Sequence, residues 1–420
     1  MPFYLFLSSC IVSFVFLAGC QSYTPPPELG AVTNRTPDRF DLKSYDDARI
    51  AARTLNPEIN RLRLESMYRD KIAEASGWWE DPAVSGDLLR ILNGGPNPWI
   101  YGGSLDLTIP VTGIPALRKK AARFYSEAQR YKVADAEYRL DVRVVTACDA
   151  VFLADRTWQL QQRLVRKLGE LFRSSEQLFA AGEITGESFT SVQQTLAEAK
   201  RQFEQDAQTR AEAYRELLVT MGFAPDARMG MFSTEITLDK TPPQIQPDKL
   251  FRHPAVQARL KLYKESEASL RAELRRQYPE LKLGPALGYE EGDIRSGLSI
   301  GTTLPLWNRN RLGIAEARLR HALAYDDTRT LYRELVNDSI ALSARYRQQV
   351  EAFETARKNQ SRAERQIETA RQMFAAGEAG PGVLAVAEAY LGECDRSLSA
   401  ACIAAHQTLI QLNYLDKEIE

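Results

Sequence analysis

The sequence predicts a mainly α-helical, duplicated fold with a small β part, and three observations carry that prediction. First, segments recur at a fixed offset. SLDLTIP at residues 104–110 returns as SIGTTLP at 299–305, and FAAGE at 179–183 returns at 374–378, each 195 residues further on. Second, one unbroken helical pattern joins each strand-like segment to its FAAGE. Third, the strand-like segments alternate polar and apolar residues, the period of a half-buried strand. Upstream the offset is 197, between Pro57 and Pro254 and between Pro82 and Pro279. The chain therefore reads as one unit written twice, with two residues dropped between Pro279 and Pro305.

Composition narrows the function. The 420 residues are 44% hydrophobic and 26% charged with net charge −1, without the basic face that nucleic acid requires. Mean hydropathy is −0.35, and past the N-terminus no run reaches the roughly 20 apolar residues of a membrane helix. Low hydropathy together with long helical patterns favours elongated helices over a thick core.

The N-terminus points to export. Residues 3–17 are nearly all apolar and are followed by Leu17-Ala18-Gly19-Cys20. This resembles a lipoprotein signal, with cleavage before Cys20 and a lipid on its thiol, although no Lys or Arg precedes the apolar run as is usual. An uncleaved anchor helix is the alternative, and the run is short for it. Gln21 after the cysteine is compatible with the outer membrane, and Pro25-Pro26-Pro27 makes a stiff tether. The expected organisation is a signal peptide at 1–19, a lipidated tether and short helix at 20–55, a first repeat at 56–221, a linker at 222–250 and a second repeat at 251–420. The remaining cysteines, Cys148, Cys394 and Cys402, are odd in number and show no disulfide spacing.

Taken in order, residues 41–53 suit a short helix capped by Ser44. Asn56-Pro57 opens the next, with Asn as cap and Pro in the first turn; it should run to about Ser76 and stop at Gly77. A weak strand is expected near 83–89, a loop at 93–98 from its Gly, Pro and Asn content, and a clear strand at 104–109. There Leu105, Leu107 and Ile109 share one face and Ser104, Asp106 and Thr108 the other. In the second half Leu281, Leu283, Leu287 and Tyr289 oppose Lys282, Gly284, Ala286 and Gly288. A charged loop at 290–296 leads to a last strand, in which Leu298, Ile300 and Leu304 oppose Gly297, Ser299, Gly301 and Thr303.

An alternating pair of strands also suits a soluble hairpin packed on a helix. The aromatics favour a membrane: Trp78, Trp79, Trp99 and Trp307 sit at strand ends with Tyr101, Tyr278 and Tyr289, as in the aromatic rims of a transmembrane barrel. A sheet in lipid must close, and the smallest membrane barrels need about eight strands. Four strands per chain therefore demand oligomerisation. Two copies give a bore that side chains would fill; three give a lumen, favoured by the small residues Gly284, Gly288, Gly297 and Gly301.

Long helices are expected after Pro115 and Arg311. In the first, Leu164, Leu171 and Leu178 form one seven-residue series and Val165, Phe172 and Phe179 another, so the helix should have two neighbours. A rod from Pro115 to Ala180 is on the order of 100 Å long. Gly182 and Gly377 should break the rods, with return helices over 187–221 and 382–415 and a link containing Pro225, Pro242, Pro243 and Pro247.

The duplication, the FAAGE turns, HPAVQAR at 253–259, YPELKLG at 278–284 and LPLWNRNRLGIAEAR at 304–318 together resemble the TolC-type outer-membrane efflux channels, over nearly the whole chain after Cys20. The last phrases look most like the CzcC-like branch that serves heavy-metal efflux. The resemblance implies a homotrimer whose four strands per protomer make a shared 12-stranded β-barrel in outer-membrane lipid above a long α-helical barrel. It implies docking to a periplasmic membrane-fusion adaptor and, through it, to an inner-membrane pump of the resistance–nodulation–division (RND) type, with no catalysis and no cofactor. Ser104, Asp106, Thr108, Gly297, Ser299 and Gly301 would face the lumen, and Gly182, Glu183, Gly377 and Glu378 would form the periplasmic entrance and docking end. One departure stands out: better-known members carry aspartates just beyond the second turn, whereas residues 380–386, GPGVLAV, hold no acid. Glu183, Glu187 and Glu378 lie near and could supply charge, or could be ordinary solvated residues.

Other readings are weaker. Cys394, Cys402 and His406 fall on one return helix, and a soft metal would suit Cys402 and His406 one turn apart; two core thiols and a packed imidazole explain the same residues. No nucleophile motif or phosphate-binding glycine loop is visible, so an enzyme is not expected. A lipid-anchored periplasmic coiled-coil scaffold without a pore would explain the N-terminus and the heptads, but not the alternating strands with aromatic ends.

Overall fold

The computed structural model describes residues 39–90, 92, 99–230, 236–290, 293–302 and 304–417. Cys20, the signal segment and the 93–98 loop lie outside the described residues. A short strand β1 (Arg39–Asp41) leads to α1 (Tyr45–Leu55). Ser44 caps α1, its Oγ accepting from the Asp47 N–H at 3.1 Å. Asn56 caps α2 (Pro57–Ala75), its Oδ1 accepting from the N–H groups of Glu58 and Ile59. These side chains satisfy donors that the first helical turn leaves open.

Strands β2 (Ala83–Arg90) and β3 (Trp99–Ile109) follow, then the 67-residue helix α3 (Ile114–Ala180) and its return α4 (Gly186–Met221). The second half holds β4 (Arg228–Gly230), α5 (Pro247–Arg252), α6 (Pro254–Arg275), β5 (Leu281–Glu290), β6 (Asp293–Thr302), the 65-residue α7 (Arg311–Ala375) and its return α8 (Pro381–Leu415). At 1.5 Å per residue α3 is about 100 Å long. The return helices are about half that length. The other half of each rod is flanked by α2 on α3 and by α6 on α7.

The short helices meet end to end. Asn56 Nδ2 donates to the Thr220 carbonyl at 3.1 Å, joining the start of α2 to the end of α4. Gly222, at φ +87°, closes α4 so tightly that a Cβ there would stand 2.8 Å from the Leu55 carbonyl oxygen. In the second half the His253 ring meets Tyr414 edge-on at 4.8 Å, and Lys249 pairs with Asp416 at 3.0 Å.

The two seven-residue series on α3 do face two neighbours. Phe172 and Phe179 stack on Phe189 of α4 at 5.5 and 5.0 Å, while Leu164 lies beside Gly392 of α8. The largest apolar cluster lies where α1, α3 and the end of α4 meet, around Leu140, Val144, Val151, Leu217 and Met221.

Three sequence expectations change. The charged loop at 290–296 is mostly strand: β6 already begins at Asp293, and Arg295 pairs with Glu290 across the hairpin at 2.8 Å. The clear strand begins at Trp99 rather than Ser104. The link is also tied down: its β4 pairs in parallel with β1, and the buried Tyr346 hydroxyl of α7 donates to the Asp239 carbonyl at 2.7 Å.

Candidate functional site: the sheet and the hairpin tips

The four long strands form one antiparallel sheet in the order β2-β3-β5-β6, so β2 and β6 are its unpaired edges. Register decides what each face carries, since side chains alternate. Val84 pairs with Leu105 and Leu88 with Tyr101. Leu107 pairs with Leu283 and Tyr101 with Tyr289. Leu283 pairs with Ile300, Pro285 with Leu298 and Tyr289 with Ile294. All of these share one face, which is apolar across four strands. It is also bare: Val84 is 82% exposed, Ile294 81%, Leu298 78% and Ile300 72%. Each such side chain left in water forgoes about 1.5–3 kcal/mol of burial.

The opposite face is polar or small except at one end, where Leu89 pairs with Ile100. Ser104 pairs with Ser85, their hydroxyls 2.7 Å apart. Ser104 and Gly297 oppose Ala286, Thr108 and Gly301 oppose Lys282, and Ser299 opposes Gly284. With Asp106 opposite Ala83, the six strand positions singled out from the sequence lie on this one face. Gly284 differs from its neighbours. A Cβ there would stand 1.5 Å from the Leu105 carbonyl oxygen, whereas Gly297 has nothing within 4 Å. Close backbone approach, not an open bore, therefore requires glycine at 284. Aromatics mark both ends of the strands: Trp78, Trp79, Tyr278 and Trp307 at the helical end, Trp99, Tyr101 and Tyr289 at the other, with Tyr101 and Tyr289 centred 6.0 Å apart.

The FAAGE turns lie at the far ends of the rods, about 100 Å from the sheet. Their geometry repeats. Gly182 sits at φ +75° and Gly377 at φ +74°. The Glu183 N–H donates to the Leu178 carbonyl at 2.9 Å, and the Glu378 N–H to the Met373 carbonyl at 2.9 Å. This is the left-handed helix closure that glycine allows without a Cβ penalty. Glu183 and Glu378 are exposed.

The two tips touch. The Gly382 N–H donates to Ser188 Oγ at 3.1 Å, beside an open cleft of about 810 Å³ lined by Glu183, Glu187, Ser191, Glu378 and Pro381. Deeper in, the buried Glu388 accepts from Lys167 of α3 at 2.8 Å and from Arg371 of α7 at 2.7 Å. Arg396 of α8 pairs with Asp206 of α4 at 2.8 Å. Sequence reasoning missed these links. The one signal was an acid, Glu388, inside an alanine-rich helix.

Of the residues weighed for metal, His406 is held by a carboxylate. His406 Nδ1 donates to Asp149 Oδ2 at 2.8 Å, and the Tyr45 hydroxyl donates to Asp149 Oδ1 at 2.7 Å. Burial, with Asp149 adjacent, pushes the Tyr45 hydroxyl and the Cys402 thiol up and the Cys148 thiol to about 12. These thiols stay protonated at neutral pH, and the thiolate is the form that ligates metal or attacks. The cluster thus ties α1, α3 and α8 together.

Neither a protein-family model nor a curated protein sequence matches the chain. Solved structures do. CusC, whose crystal structures concern folding and transmembrane channel formation, aligns with a TM-score of 0.77 at 13% identity, over 95% of this chain and 99% of its own. The CmeC outer membrane channel of Campylobacter jejuni aligns at 0.76 and 12% identity over 95% and 93% of the two chains. The open state of the MtrE outer membrane channel of Neisseria gonorrhoeae aligns at 0.73 and 17% over 94% and 97%. At these identities the likeness establishes the fold, and it is the TolC-type fold predicted from the sequence.

Proposed function

We propose, from a chain with the TolC-type outer-membrane channel fold, that this protein is the outer-membrane conduit of a tripartite efflux system. One observation carries the reading. A four-stranded sheet with a bare apolar face and two open edges cannot stand alone in water, and four strands cannot close a membrane barrel. Three copies joined edge to edge make twelve strands. The apolar face then meets outer-membrane lipid, and the face with Ser104, Asp106, Thr108, Gly297, Ser299 and Gly301 lines the bore. The rods continue as a tunnel to a mouth of six hairpin tips, where Gly182, Glu183, Gly377 and Glu378 meet a periplasmic adaptor and, through it, an RND-type pump. The conduit is passive and does no chemistry. A lipid on Cys20 holds it to the membrane.

Heavy-metal cations are the first substrate class, on the likeness of residues 304–318 to the CzcC-like branch, and drugs the second. A poreless scaffold leaves the bare apolar face without a partner and is not favoured. Purified protein reconstituted in a planar lipid bilayer tests the reading: discrete conductance steps from a trimeric species are expected. Monomers without conductance, released from membranes once the lipid is removed, would overturn it.

A further inference from the structure

The sheet passes into its long helices through two short stretches, 110–123 and 304–320, and charge is concentrated there. Together they hold eight Lys or Arg and one acid, Glu316, in a chain whose net charge is −1. All eight but Lys119 are exposed. Among the described residues only Arg320 of the eight has an ion pair, with Glu316 at 3.6 Å, and both of those side chains stand mostly in water. The acids Glu80, Asp81 and Glu280 lie on the segments that enter the sheet, not on those that leave it.

Nothing in a single chain calls for this charge. α3 and α7 have no acid in the first turn and no side-chain cap, so cations there oppose the positive end of the helix dipole. The helix does give them a direction. Cα–Cβ bonds tilt toward the N-terminus of a helix, so the cations in the first three turns of α3 and α7 lean back toward the sheet. Ten residues of helix rise only about 15 Å, and long basic side chains carry their charge further along an apolar surface. The exposed aromatics Trp78, Trp79, Tyr278 and Trp307 stand at the same end. The repeat shows what is kept. At the 195-residue offset Arg123 falls on Arg318, but Arg118 and Lys120 fall on Gly313 and Ala315, and Arg309 and Arg311 fall on Ile114 and Ala116. The two halves keep the sign and amount of charge and not its positions. A pocket for a small anion, or a protein partner, would fix positions; a fluid layer of negative headgroups reads charge density alone.

We propose that this basic belt binds the headgroups of anionic phospholipids in the leaflet that meets the helical end of the sheet. The proposal rests on the placement of the sheet in lipid put forward above. Apolar strands, aromatic rim and cations then follow one another in the order of hydrocarbon, interface and headgroup phosphate. Each cation near such a surface contributes about a fivefold factor in affinity, over a range of about 10 Å at 0.1 M salt.

The test is fluorescence quenching of the full chain reconstituted with brominated lipids, because Trp78, Trp79 and Trp307 report from the end in question. Mixtures of brominated phosphatidylglycerol and phosphatidylcholine give the relative affinity for the two headgroups. The parent should prefer phosphatidylglycerol by about fivefold or more at low salt and lose most of that preference in 1 M salt. Arg118→Gln with Lys120→Gln should lower the preference at least about twofold, as should Arg309→Gln with Arg311→Gln, and all four together should bring it close to one. Arg357→Gln with Lys358→Gln, exposed about 70 Å along α7 from the sheet, should change nothing. Should the fourfold variant lose helicity, the two pairs decide. No preference in the parent, or a preference that well-folded variants keep, would overturn the proposal. Variants that keep the preference but shift the ion selectivity of the channel would turn the cations toward the bore, and the proposal would equally fail. If brominated phosphatidylcholine alone leaves the fluorescence unquenched, the sheet does not lie in lipid, and the membrane reading falls with the proposal.

Discussion

His253 does in the second repeat what Asn56 does in the first. Asn56 Oδ1 accepts from the Glu58 N–H at 2.9 Å; His253 Nδ1 accepts from the Ala255 N–H at 3.3 Å, each just before a helix-opening proline. Only the histidine titrates. Burial pushes its pKa below the ordinary 6.5. The folded chain therefore holds it neutral, and the unfolded chain binds the extra proton below that value. Its contribution to stability is full above pH 6.5 and is lost as pH falls toward the lowered folded value. His253→Asn keeps a cap and removes the titration. Thermal melts should show a smaller loss between pH 8 and pH 5 in the variant than in the parent; equal losses would assign the acid sensitivity to other groups.

Gly284 and Gly297 share the polar face of the sheet but not its tolerance. Gly284→Val drives a side chain into the Leu105 carbonyl and should cost about 3 kcal/mol or more. Gly297→Ala meets open space and should stay within about 0.5 kcal/mol. Resistance of the proposed oligomer to heating in detergent, read on gels, should separate the two.

Glu388 holds Lys167 and Arg371 at once, yet both cations are about half exposed, at 48% and 45%. Water can take them back, so Glu388→Gln should cost about 1–3 kcal/mol rather than the larger penalty of a stranded buried charge. Faster proteolysis at the tips with unchanged helicity is the expected result.

At the turns, Gly377→Leu puts a branched side chain at positive φ with open space around it. It should cost about 1–2 kcal/mol of local strain and leave the fold standing. Glu378→Lys should leave stability unchanged and reverse a rim charge, which acts on encounter with a partner. Each variant should lower efflux-dependent resistance at normal protein level in the outer membrane. Full resistance in both would mean that the tips are ordinary bends.

Mass spectrometry of the mature N-terminus should find a lipidated Cys20. A chain starting at Met1, or cut elsewhere, would remove the anchor.

The parts of this fold governed by local chemistry were legible in the sequence. Ser44 and Asn56 announce their helices, Gly182 and Gly377 end theirs, and alternation alone gathers the six polar strand positions onto one face. What escaped was long in range or too short for a period. The β1–β4 pairing joins two three-residue strands almost 190 positions apart (Arg39 with Arg228). Lys167 and Glu388 are 221 positions apart. Gly284 looked like its neighbours because a glycine needed for close approach and a glycine that leaves a surface bare are the same letter.

The amphipathic sheet sets an order of events in the making of the protein. A helix completes its own hydrogen bonds and can be finished in water, so the rods and their joints can form as soon as the chain is available. The sheet cannot: until neighbours close its edges and lipid covers its face, each finished strand is a template for the wrong partner. In the oligomer proposed above, copies would therefore find one another through their helices first, with the strands closing last, at the bilayer. On that schedule the tips would serve assembly as well as the proposed mouth, and damage to a hairpin far from the sheet would surface as a failure to insert.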